Sequence, residues 1–95
     1  MCKDYVRNKI IYETECEADA PGGSFLIEYL LLSGKEADRE CFSVLCILHD
    51  GDVAESRFVF DAAPDRASGI LLCDLLCRCE VTPFSLVEVL SEYLA

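Results

Sequence analysis

Residues 24–33 read SFLIEYLLLS. Taken alternately, they offer Phe25, Ile27, Tyr29 and Leu31 to one side and Leu26, Leu30 and Leu32 to the other. Successive side chains of a strand point to opposite faces, so a strand apolar on both sides belongs at the centre of a sheet. The run is far short of the roughly 20 apolar residues that cross a bilayer, and Glu28 interrupts it.

A second stretch, about 40–49, matches the first. It sets Phe42, Val44, Cys46 and Leu48 on one side against Leu45 and Ile47 on the other. Two more polar strands flank this pair. The first, about 5–17, has Ile10, Tyr12, Thr14 and Cys16 on one face and Glu13, Glu15 and Glu17 on the other. The fourth, about 53–61, separates Phe58 and Phe60 from Glu55 and Arg57. Turn chemistry divides the four: APGGS (20–24), GKEADRE (34–40) and HDGD (49–52). Asp50-Gly51 predicts a hairpin, because both residues tolerate the positive φ of a type I′ turn.

The period then changes. Pro64 and Asp65 open a helix predicted to run over about 64–80, proline being tolerated in a first turn. Thr82 as N-cap and Pro83 at the first helical position open a second, over about 83–94. Leu86, Val87, Val89, Leu90, Tyr93 and Leu94 fill one side of that helix, against Ser85, Glu88, Ser91 and Glu92. Strands followed by helices predict one α+β domain over 1–95. It is a four-stranded antiparallel meander with two C-terminal helices packed on one face.

Two helices on one face leave the other uncovered, and that face is apolar at Leu26, Leu30, Leu32, Leu45 and Ile47. An antiparallel sheet normally presents polar residues there, so these five form a candidate homodimer interface, or a surface for another protein.

Composition narrows the partners. The 18 acidic and 8 basic residues give a net charge of -10, which repels nucleic acid and anionic membrane surfaces alike. The N-terminal stretch MCKDYVRNKIIYETE has no apolar core of signal-peptide length, so a cytoplasmic protein is expected. Its seven cysteines are then free thiols, which behave as small buried hydrophobes.

Three of them fall in CDLLCRCE (73–80). Four helical residues turn through about 40° beyond a full circle, so Cys73 and Cys77 share a face, while Cys79 lies about 200° from Cys77. Cys79 falls among Leu71, Leu72, Leu75 and Leu76 and is expected in the core, with Cys73 and Cys77 at its edge. Three ligands must converge on one metal, and these do not. Cys73 and Cys77 alone remain as two candidate ligands or a responsive thiol pair. No C-x-x-C motif is present. Single His49 shares a strand face with Cys41, but eight strand residues hold the two about 26 Å apart. APGGS lacks the lysine of a phosphate loop. No catalytic constellation and no cofactor are expected.

The strands FSVLCI (42–47) and RFVFDAAPD (57–65), with VTPFSLVEVLSEYL (81–94), carry a resemblance. Over about residues 40–94 the chain resembles a family of short proteins of Firmicute-type bacteria, a domain without an assigned activity. The resemblance implies a bacterial source and this fold, and no mechanism. The relatives have a more polar residue where this chain has Ser85, and these cysteines are not a pattern of the family. The function expected is a non-catalytic interaction or regulatory module, homodimeric. The alternative is a redox- or metal-responsive protein using Cys73 and Cys77.

Overall fold

A computed structural model of the chain describes residues 8–94. Four strands follow one another: β1 (Lys9–Ala20), β2 (Gly23–Glu36), β3 (Arg39–Asp50) and β4 (Val53–Ala63). Two helices come after them, α1 (Arg66–Arg78) and α2 (Leu86–Leu94). Every strand pair is antiparallel and the spatial order is β1-β2-β3-β4, so the fold is the expected α+β meander. The part of the expected first strand before residue 8 lies outside the described residues.

Each hairpin turns on two residues. Pro21-Gly22 joins β1 to β2, with proline fixing the first φ and Gly22 supplying the positive one (φ 91) of a type II turn. Between β3 and β4 the turn is Gly51-Asp52, one residue later than expected, because Asp50 still pairs with Val53. Only Gly51 has a positive φ (62), which is the II′ pattern and not I′.

Helix starts also differ from expectation. Asp65, in extended backbone at φ -153, caps α1 by accepting from the Ser68 amide at 2.8 Å, and Pro64 lies before the cap. Residues 83–85 form a separate turn tied by Ser85 N–H to the Thr82 carbonyl (3.1 Å), and α2 begins at Leu86.

The register sets the two faces. Ile27 lies opposite Leu48, Tyr29 opposite Cys46 and Leu31 opposite Val44, and these six form the inner face under the helices. Leu72, Cys73 and Leu76 of α1 and Leu86 and Leu90 of α2 close it. Ile27, Tyr29, Leu31, Val44, Cys46, Cys73, Leu76 and Leu86 are wholly shut from solvent. Burying each large aliphatic side chain contributes roughly 1.5–3 kcal/mol, so this layer supplies most of the driving force.

Gly69 marks the closest approach of α1 to the sheet. A Cβ there would stand 2.6 Å from Leu31 Cδ1 and 2.8 Å from Cδ2.

Near its start β1 carries an irregularity. Ile10 pairs with Leu32 and Tyr12 with Leu31, so Ile11 is an extra residue. The shift overturns the expectation that Ile10 shares a face with Tyr12, Thr14 and Cys16. Ile10 lies instead beside the outer-face Leu32, 52% exposed, while Ile11 packs on the core.

Candidate functional site

Two places collect side chains with chemical potential: the seam between the sheet and α1, and the outer face of the sheet.

At the seam, Tyr12, Thr14 and Cys16 of β1 project toward α1. The Tyr12 hydroxyl donates to Asp74 at 2.5 Å, and the Thr14 hydroxyl donates to Cys77 Sγ at 3.7 Å. Cys77 Sγ itself donates to the Glu15 carbonyl at 3.5 Å. Deeper in, the Tyr29 hydroxyl donates to the Val81 carbonyl at 2.7 Å, and Cys46 Sγ reaches the same oxygen at 3.7 Å. Cys16 Sγ lies 3.9 Å from the Tyr29 hydroxyl.

Burial governs the ionisation of this cluster, since a low-polarity interior disfavours the charged form. It pushes the Cys46 thiol up to about 12. Cys73 is also pushed up to about 12, by burial first and then by the Asp74 charge. The Tyr29 phenol is held above its ordinary range by burial and by the Cys16 thiol. Tyr12 is raised by its hydrogen bond to Asp74. Cys46 and Cys73 therefore stay neutral near pH 7 and serve as packing groups.

The cysteines of CDLLCRCE are placed differently from expectation. Cys73, expected at the edge of the apolar arc, is fully buried. Cys79, expected in the core, is exposed one residue beyond α1, as its C-cap. Leu71 was also expected inward and is 64% exposed. The buried stripe of α1 is Gly69, Leu72, Cys73 and Leu76, and it is set by the fit of Gly69 against Leu31. Cys77, half-buried, leans toward β1 and away from any position shared with Cys73 in a ligand set. Among the described residues no three of histidine, cysteine, aspartate and glutamate gather as a metal site.

The outer face holds Leu26, Leu30 and Leu32 of β2 beside Leu45 and Ile47 of β3, as the register requires. Leu30 lies opposite Leu45 across the ladder, and Leu26 is opposite His49. Phe58 of β4 adjoins Leu45, and Phe60, 46% exposed, extends the patch. Leu30 and Leu32 are buried, whereas Leu26, Leu45 and Ile47 remain half-buried. One polar pair crosses the patch. His49 Nε2 and Glu28 Oε1 approach to 2.6 Å, and both groups are partly open to solvent. Register alone brings them together. The structure thus gives His49 a carboxylate partner, not the Cys41 thiol, which is buried and directed to the Arg39 carbonyl.

Fold and site define an α+β meander with one helix-covered face and a second face on which Leu26, Leu45 and Ile47 are half-buried. No family model, no curated protein and no solved structure matches the chain. Among the described residues no helix is long and apolar enough to cross a membrane.

Proposed function

We propose that the chain is a non-catalytic interaction module that works as a homodimer through the outer face of its sheet. One observation carries this. Both helices pack on the inner face, yet the outer face still shows half-buried apolar side chains at Leu26, Leu45 and Ile47, with Phe60 46% exposed beside them. Apolar patches of this kind on small proteins mark interaction surfaces, and a sheet face is self-complementary under a two-fold axis. The chain is small, so burial by a second copy adds substantially to the surface its own core can hide.

The remaining side chains agree with binding and not catalysis. The buried thiols are held neutral, and His49 is engaged by Glu28 across the patch. A net charge of -10 keeps the dimer away from nucleic acid.

Sedimentation equilibrium at micromolar concentration tests the assignment. The expected mass is twice 10.6 kDa. Ile47→Glu places an unpaired charge in the interface and is expected to yield the monomer with an unchanged circular dichroism spectrum. Leu30→Glu is expected to do the same at some cost to stability, because Leu30 is closed within its own subunit. A wild-type mass of 10.6 kDa across the concentration range overturns the proposal.

A further inference from the structure

We propose that Cys16 and Cys77 are a reversible disulfide pair, oxidised by hydrogen peroxide, that ties edge strand β1 to the last turn of α1. The two residues lie 61 positions apart, and the fold sets them side by side. Cys77 Sγ donates to the Glu15 carbonyl at 3.5 Å, the oxygen of the peptide unit that leads into Cys16. That oxygen stands about 2.8 Å from the Cys16 Cα by covalent geometry, so the Cys77 sulfur lies within roughly 6.3 Å of that Cα. Thr14, two residues earlier on the same face of β1, contacts the same sulfur at 3.7 Å. Cys77 Sγ therefore sits over the segment from which the Cys16 side chain rises, the placement a bond between the two sulfurs requires.

No other described cysteine competes. Cys46 and Cys73 are fully closed to solvent, and burial holds their thiols protonated. Cys41 is buried and directed to the Arg39 carbonyl. Cys79 is exposed and lines a groove between the helices with Leu75, Val81 and Val89. Cys16 and Cys77 alone combine mutual proximity with partial exposure. The Cys16 thiol is raised by burial, and raised further by the neighbouring Cys77 thiol.

The chemistry balances with peroxide as the sole oxidant. The Cys77 sulfur attacks one peroxide oxygen, the O–O bond breaks, and a sulfenic acid and one water form. The Cys16 sulfur then attacks the Cys77 sulfur and displaces a second water, leaving the S–S bond. Two thiols supply two electrons and two protons, and one peroxide yields two waters. A dithiol reductant reverses the step.

The test begins with the reduced full-length chain, treated with a small excess of hydrogen peroxide and then alkylated. The expected product is an intramolecular species with five alkylated thiols, whose proteolytic digest contains the Cys16 and Cys77 peptides joined. The crosslink closes a long loop, so the thermal midpoint is expected to rise by about 10 °C and to fall back on reduction. Cys16→Ser and Cys77→Ser each abolish the joined peptide, while Cys79→Ser retains it. Either of the first two suffices if the other fails to fold. Seven alkylated thiols after peroxide, or a bond between any other pair or between two chains, overturns the proposal.

Discussion

Glu80 adopts φ 52, a left-handed conformation that crowds the Cβ of any residue except glycine. It does so to end α1. The Glu80 amide bonds to the Cys77 carbonyl (3.1 Å) and the Val81 amide to the Leu76 carbonyl (3.0 Å), the two bonds of a Schellman cap. Glu80→Gly is therefore expected to stabilise the fold by about 1 kcal/mol, read as a higher urea midpoint at unchanged slope. An equal or lower midpoint would show that the Glu80 side chain compensates the strain. Asp65 does the corresponding work at the other end of the helix. Its hydrogen bond from the Ser68 amide holds the carboxyl below the usual range. A depressed carboxylate stabilises the fold above its unfolded pKa, and that stability is lost as pH falls through the folded value. Asp65→Ala should thus lower the thermal midpoint at pH 7 and narrow the gap from wild type below the ordinary aspartate range. A difference independent of pH would assign the loss to something besides the charge. Of these two caps the sequence displays only one. Asp65 before a helical period is a recognisable start, although Pro64 drew the predicted boundary two residues early. No glycine marks the stop at Glu80.

At the level of elements, α1 shows where periodicity loses its power. Ile70, Leu71, Leu72, Cys73, Leu75 and Leu76 wrap apolar surface around more than half of the helix. A wheel so broadly apolar leaves its rotation undetermined, which is why Cys79 and Leu71 were expected inside and Cys73 at the edge. The rotation is decided by a contact between residues 38 apart in the chain, Gly69 and Leu31. Gly69→Ala gains helix propensity, yet its Cβ would press on a side chain with no room to leave. A net loss of about 1–3 kcal/mol in denaturant unfolding is expected. Leu31→Ala in the same background should recover part of it, and additive losses would sever the two residues. By contrast β2 and β3 were legible throughout. Their alternation, bounded by turn residues, gave the pairing order and both faces, and the two-residue hairpins then fixed the register. Irregularities escaped, since the bulge at Ile11 that sends Ile10 to the outer face leaves no mark in residue type.

Across the whole molecule, the outer face is not symmetric from edge to edge. One row runs Glu15, Glu28, Ile47, Ser56 from β1 to β4, so carboxylates occupy one edge and neutral residues the other. Pairing of two such faces has two simple symmetries. An axis in the interface plane and perpendicular to the strands stacks β1 on β1 and sets Glu28 against Glu28, a like-charge contact that disfavours association. An axis parallel to the strands turns the second sheet edge for edge, so that Glu15 of each copy overlies Ser56 of the other and Glu28 overlies Ile47. Ser56→Lys separates the two. About the parallel axis the new ammonium meets a glutamate and tightens the dimer by a few fold at low salt, an effect that fades as salt is added. About the perpendicular axis it meets its own copy and loosens it. In the proposed dimer the lopsided acidity of a single edge strand would thus act as a compass, orienting one subunit on the other before any apolar side chain is packed.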